Sequence, residues 1–276
     1  MTLPDGFVFS QTSLQDYMDC QRRFQLRHVL HCQWPGMQSQ DALDAEIGIR
    51  RGHLFHRLML QAHSGVPREL LETAASADAE VERWWHHYQE DPPSVSAPVV
   101  MVESSLSVPV GRFRLEAKYD LLRGEPGGDW IIIDWKTGGR RPSRPWLARR
   151  MQTRVYPYVL SAGGAEINDG VAIPPERVQT LYWFANYPTL PELFDYGPLQ
   201  YDADARLLRE SIDEIHLRDD ESFGKDVDRK VCPHCVYRSL CWDEDEPVGE
   251  LDREAEPRDD DEPDGLDWAT VVPQPF

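Results

Sequence analysis

Asp134 and Lys136 stand two apart in Trp130-Ile-Ile-Ile-Asp134-Trp135-Lys136-Thr137-Gly138, where an apolar run leads into charge and then a glycine pair. Successive side chains of an extended strand alternate faces. Asp134 and Lys136 therefore share one face, while Ile131, Ile133 and Trp135 take the other. A buried carboxylate beside an ammonium is costly unless both are paired or used. The preceding stretch, Arg114 to Leu122, alternates polar and apolar residues, and Arg123-Gly-Glu-Pro-Gly-Gly-Asp129 has the composition of a turn. A hairpin folded symmetrically about Gly127 sets Asp120 opposite Asp134. Directly opposed residues have Cβ atoms roughly 5 Å apart, where like charges repel. Two carboxylates so held want a hard divalent cation, and Mg²⁺ or Mn²⁺ suits oxygen ligands. With the Trp135 carbonyl as a further ligand, such an ion could polarise a phosphodiester and acidify a bound water. Lys136 could orient or deprotonate that water, or oppose the developing charge. Taken alone, Asp-x-Lys more often marks an ordinary solvated ion pair at a strand end.

Other residues of suitable chemistry are scattered along the chain. Gln152 and Tyr156 lie four apart, hence on one face of a helix, and could line the same site or form a plain amphipathic stripe. His56 could add a ligand or touch a phosphate, although a lone helix histidine is more often structural. Cys232-Pro-His-Cys235-Val-Tyr-Arg-Ser-Leu-Cys241 brings three thiols into one short loop, which is rarely accidental. A four-thiolate site needs one more, from Cys20 or Cys32, and on chemistry alone zinc and an iron–sulfur cluster both fit. Between Lys136 and Arg154 there are seven cations (Lys136, Arg140, Arg141, Arg144, Arg149, Arg150 and Arg154) and no acidic residue. Such a segment could neutralise phosphates, with salt-sensitive binding as the consequence. Trp146 within it could stack on a base.

The elements that must position these groups read as helices, then a sheet, then helices. Ser10–Ser13 offers N-caps for a helix carrying Leu14, Tyr17, Phe24 and His28, with Cys20 inside it, ended by Trp34-Pro-Gly. A second helix runs through Ile49 to Leu60 and carries His56, and a third through Ala74 to Tyr88. Pro92-Pro93 marks a change of regime. Val99 to Val110, Phe113 to Leu122 and Trp130 to Lys136 then form a three-strand meander. Pro145 starts a helix through Gln152, Tyr156 and Leu160, which Pro157 should kink or shorten. Val178 to Ala185 is a fourth strand, and Asp202 caps a last helix. The expected class is α/β (α+β) with a central sheet.

Bulk properties set outer limits. The 276 residues can bury one good core, and the composition (41% hydrophobic, 10% aromatic) is that of a globular protein. No apolar run approaches a membrane span and the first residues lack a signal pattern, so the cytoplasm is the default location. The net charge of −19 is unevenly placed: Asp243 to Asp267 holds fourteen acidic residues against Arg253 and Arg258. Two segments follow, a folded one over 1–242 and an acidic tail over 243–276 that is expected to be disordered. Five cysteines in such a chain argue against a disulfide framework.

Taken in order, these residues resemble the PD-(D/E)xK nuclease superfamily, in its RecB/AddB-like branch with a four-cysteine iron–sulfur cluster. Phe9-Ser10 and Cys20, Gly52 with His56, Asp120, Asp134-Trp-Lys136, Gln152 with Tyr156, and Cys232, Cys235 and Cys241 follow the family's order over residues 7 to 242. Two departures stand out: Ala117 where a glycine is common, and Cys20-Gln-Arg-Arg-Phe24 where Cys-Pro is usual. The resemblance implies a restriction-endonuclease-like core, with a mixed β-sheet flanked by helices. It implies metal (Mg²⁺ or Mn²⁺) ligands at His56, Asp120 and Asp134, a catalytic Lys136, and Gln152 and Tyr156 lining the site. It also implies a [4Fe–4S] cluster on Cys20, Cys232, Cys235 and Cys241 that ties the two ends together, with Cys32 as the spare; Zn²⁺ is the alternative there.

The leading expectation is a metal-dependent DNA exonuclease acting on single strands or ends in repair or recombination. A nuclease that trims spacers in CRISPR adaptation, and a non-catalytic DNA-end-binding subunit of a helicase–nuclease complex, are the alternatives. Nothing of a RecB- or AddB-type helicase part is seen, so such a nuclease is expected to act alone or to borrow a motor from a helicase or other repair protein. The tail ends Val272-Pro-Gln-Pro275-Phe276, similar to the partner-binding tip of bacterial single-stranded-DNA-binding proteins. It could dock such a partner or occupy the basic groove, although a merely solubilising tail is commoner.

Overall fold

In the computed structural model, residues 3–4, 6–32, 40–93, 97–219, 222–225, 231–232, 235 and 237–241 are described. The acidic tail and the Trp34-Pro-Gly break lie outside them. A six-stranded mixed sheet forms the centre: β1 (Val8–Phe9), β2 (Val99–Val110), β3 (Phe113–Gly124), β4 (Trp130–Lys136), β5 (Val178–Phe184) and β6 (Glu192–Asp195). β2, β3 and β4 form an antiparallel meander, β4 pairs with β5 in parallel, and β6 closes the far edge antiparallel to β5. β1 runs parallel to the start of β3. The parallel β4–β5 pair demands a crossover, and this is supplied by α6 (Arg144–Leu147) and α7 (Met151–Gly163).

Helices cover both faces. On one, α1 (Gln11–Asp19), α2 (Gln21–Phe24), α7 and α8 (Pro198–Leu217) bury Leu14, Phe24, Val155, Val159, Leu208 and Ile212 against Leu115, Tyr119 and Ile132. On the other, α3 (Gln40–His63), α4 (Arg68–Ala75) and α5 (Ala79–Glu90) bury Phe55, Met59, Trp84 and Trp85 against Leu121, Ile133, Trp135 and Trp183. Phe55 stacks on Trp183 with ring centroids 6.0 Å apart. The alternation expected of β4 is realised: Ile133 and Trp135 face α3, whereas Ile132 faces α7.

The hairpin turns where expected. Leu121 pairs with Ile133 and Gly124 with Trp130, a register centred on Gly127, which adopts a left-handed φ of 72° that glycine tolerates at little cost. One feature breaks the simple alternation. Leu106, Val108 and Val110 of β2, with Leu115, Ala117 and Tyr119 of β3, pack toward α7, yet Val102 and Leu121 pack toward α3. Both strands change face at one rung, where the pairing passes over Glu103 and Asp120, and Glu103 takes a φ of 46°. A non-glycine residue there is strained and has to be held by its surroundings.

Four expected elements differ. Cys20 does not sit within a helix: it is extended (φ −162°, ψ 111°) between α1 and α2, and a π-helical turn, Gln25–Val29, follows. The Ala74–Tyr88 helix is two helices, because Asp78 accepts from the Glu80 and Val81 N–H groups and caps α5 afresh. α8 begins at Pro198 after Gly197, not at Asp202. Ser143 caps α6 and α7 restarts at Met151, and α7 continues through Pro157 to Gly163 rather than being shortened. Among the described residues no helix is long and apolar enough to cross a membrane.

Candidate active site

Trp135 is the hub at the end of β4. Its indole is anchored among Trp183, Tyr88 and His63, while its backbone stays available to neighbours on both sides. The Trp135 N–H donates to Asp120 Oδ2 at 2.9 Å, so the strand-to-strand ladder ends in a side-chain bond and Asp120 is drawn to β4. The Trp135 carbonyl lies 3.0 Å from His56 Nε2, and His56 Nδ1 lies 3.3 Å from Asp120 Oδ1. His56 reaches this place because α3 packs closely on the strand end. A Cβ on Gly52, one helical turn earlier, would come within 2.9 Å of Thr137 Oγ1.

On the α7 side, Asp134 and Lys136 are both buried, at 3% and 7% exposure. Gln152 joins them: its Nε2 donates to Asp134 Oδ1 at 2.7 Å and its Oε1 accepts from Lys136 Nζ at 2.8 Å. Lys136 Nζ also stands 3.2 Å from Asp134 Oδ2 and over the Tyr182 ring. Hydrogen bonds to buried charges are worth about 1.5–3 kcal/mol each, so Gln152 offsets part of the cost of burying both. Tyr156, one turn along α7, packs its ring against Tyr119 in the core, and its carbonyl accepts from the Tyr119 hydroxyl.

Glu103 is the residue that sequence reasoning missed. Through the face change it lies with His56 and Asp120, one donor atom of each falling within 4.8 Å of the others. Lys118 Nζ pairs with it at 2.8 Å. Burial, and then the Asp120 charge, push the Glu103 carboxyl above its ordinary range. Burial also works against ionised Asp120, yet His56, the Trp135 N–H and Lys136 together hold its carboxyl below the usual range. Two neighbouring carboxylates with opposed shifts form a pair that a cation would neutralise. An imidazole, two carboxylates and a backbone carbonyl make a donor set suited to Mg²⁺ or Mn²⁺.

The basic segment is partly committed within the protein. Arg141 and Arg144 both pair with Glu192, and Arg154 pairs at 2.7 Å with Asp204, which is fully buried. Arg150 lies over the Trp146 ring and 3.6 Å from Asp19. Arg140 and Arg149 are exposed.

Cys20, Cys232, Cys235 and Cys241 line one cavity together with Arg23 and Lys225, and Cys32 is not among its lining residues. Burial pushes the Cys235 thiol up to about 11. The extended backbone at Cys20, at the corner between α1 and α2, is what lets a residue from the start of the chain meet three from its end.

A sequence model described as the PD-(D/E)XK nuclease superfamily matches residues 8–99 and 88–242. No curated protein matches the chain. Among solved structures, a "Putative exonuclease (RER070207002219) from Eubacterium rectale" aligns at 9% identity with a TM-score of 0.52, covering 88% of this chain and 91% of that one. The crystal structure of SSO0001 aligns at 14% identity with a TM-score of 0.41, covering 87% and 88%.

Proposed function

The chain belongs to the PD-(D/E)XK nuclease superfamily, and on that premise we propose that it is a metal-dependent deoxyribonuclease, an exonuclease of the RecB/AddB-like branch acting on single strands or DNA ends. One observation carries the reading: Gln152 holds Asp134 and Lys136 together at the same strand end where Asp120 meets the Trp135 backbone. His56, Asp120, Asp134 and the Trp135 carbonyl would hold Mg²⁺ or Mn²⁺, with Glu103 as an additional carboxylate. A divalent ion there supplies Lewis acidity to the phosphodiester and a more acidic water.

The chain's own residues do the rest. Lys136, fixed by Gln152 and Asp134, presents a cation that needs no reorganisation when negative charge builds on the phosphate. Gln152 keeps Asp134 from turning away. Exposed Arg140 and Arg149 are placed to meet the DNA backbone, whereas Arg141, Arg144 and Arg154 chiefly brace the fold. Tyr156 supports the site from the core through Tyr119.

The four-cysteine cavity suits a metal group with thiolate ligands. Besides the thiols its wall contains Arg23, a buried cation whose Nε finds no acceptor among the described residues and which suits a negatively charged group. A [4Fe–4S] cluster on Cys20, Cys232, Cys235 and Cys241 would cross-link chain ends about two hundred residues apart in sequence, a closure that is otherwise costly in entropy. We assign residues 1–242 to this nuclease domain, and 243–276 to an acidic tail.

The test uses protein purified without oxygen and end-labelled single-stranded, duplex and closed circular DNA, with Mg²⁺, Mn²⁺ or EDTA. Metal-dependent loss of linear DNA with circles spared is expected. Cutting of circles would make it an endonuclease, and no cutting by metal-loaded protein would turn the reading to a DNA-end-binding subunit.

A further inference from the structure

We infer that Arg23 is a sulfur-directed hydrogen-bond donor of the cysteine site, its Nε–H aimed at a metal-bound thiolate. The inference rests on the metal-binding reading of that cavity and adds a residue to it. Arg23 follows Cys20 by three positions, and α2 carries its side chain inward to 4% exposure. One end of the guanidinium is fully engaged: Nη2 lies 2.7 Å from Asp16 Oδ1 and 3.2 Å from Asp19 Oδ2. These two contacts fix the plane of the group and hence the direction of Nε–H. That donor is shielded from solvent and has no acceptor among the described residues.

An orphaned buried donor costs roughly 1–3 kcal/mol, and native structures rarely leave one without a reason. The cavity that Arg23 lines supplies a reason, since all four cysteines line it too, beside Leu26, Lys225, Val231, Tyr237 and Arg238. Charge points the same way. Asp16 is shared by Arg23 and Arg27, and Asp19 by Arg23 and Arg150, so two carboxylates face three guanidinium groups. Arg23 lines the same cavity as the cysteines, so this positive charge stands beside the thiols. Sulfur accepts such bonds in metal–thiolate sites, where they set the potential and the stability of the centre.

Arg23→Lys keeps the cation and its reach to Asp16 but loses the directed Nε–H, whereas Arg23→Gln removes the charge as well. Full-length protein purified without oxygen would be compared for iron, sulfide and zinc per chain, release of that metal to a chelator, and, for iron, midpoint potential in a redox titration. Arg23→Lys should load metal as wild type does, release it several-fold faster, and, for an iron–sulfur centre, titrate at a lower potential; Arg23→Gln should also load less. Wild-type release rates and potentials in folded Arg23→Lys would overturn the inference, because a purely structural role would not depend on that donor. Should the variants fail to fold, wild type labelled with ¹⁵N-arginine decides for an iron centre: pulsed EPR of the reduced cluster should show one coupled arginine nitrogen, and its absence overturns the proposal. Wild-type protein that binds neither iron nor zinc would instead overturn the reading of the cavity itself.

Discussion

Gln152 donates its side-chain amide to Asp134 Oδ1 across 2.7 Å, from the first turn of α7 to the last residues of β4. Its oxygen meanwhile accepts from Lys136, so a single neutral side chain bridges a buried anion and a buried cation that also pair directly at 3.2 Å. Gln152→Ala should lower kcat about 10–100-fold, as loss of a group that orients a metal or charge ligand generally does. Gln152→Glu should be worse, since it sets a second carboxylate against Asp134. Steady-state cleavage with a thermal melt on each variant checks this; equal losses of activity and folding would contradict it.

Glu103 should contribute to metal binding. Glu103→Gln removes one charge from the group with His56 and Asp120, and Mn²⁺ measured by calorimetry or EPR should bind about tenfold more weakly. An unchanged Mn²⁺ affinity would leave Glu103 as no more than the partner of Lys118.

The arginines of the basic segment should separate into two groups. Arg154→Ala strips a fully buried Asp204 of its cation and should cost roughly 3 kcal/mol in urea unfolding. Arg149→Ala, at an exposed position, should leave stability alone and lessen the salt dependence of DNA binding by about one unit of slope. The reverse pattern would refute this division.

Acid should loosen the α3 face through His63, which stacks flat on Trp135. Burial, then the Arg123 charge, lower its pKa from 6.5 to about 4. The unfolded chain therefore binds more protons between these values, so this contribution is intact above pH 6.5 and is lost as pH falls toward 4. With partial exposure allowed for, the loss is on the order of 1–2 kcal/mol. His63→Phe keeps an aromatic ring against Trp135 and should flatten the stability profile over that window relative to wild type.

Much of this architecture could be read from period and composition. The β3–β4 hairpin was legible because Gly127 sits in a glycine-rich turn, which sets Leu121 opposite Ile133 and brings Asp120 to the Trp135 N–H beside Asp134 in sequence. Glu103 was not legible, because a period of two predicts faces only while the backbone stays regular. Both strands change face at that rung, where Glu103 takes a left-handed φ, and no local residue signals this. Cys20 was misplaced inside a helix for a related reason: helical spacing runs straight across it, while tertiary demands at the cysteine cavity extend it. The arginines between 140 and 154 read as one basic surface because their partners, Glu192, Asp204 and Asp19, are distant in sequence.

The most direct test of the account compares wild type with Lys136→Ala on end-labelled single-stranded DNA in Mn²⁺, with the melting temperature and Mn²⁺ affinity of both proteins measured alongside. The account predicts metal-dependent cleavage by wild type and a loss of at least a hundredfold in Lys136→Ala, with the variant folded and still binding Mn²⁺. Comparable cleavage by the two proteins would show that the Asp134–Gln152–Lys136 group is structural and that hydrolysis takes place elsewhere.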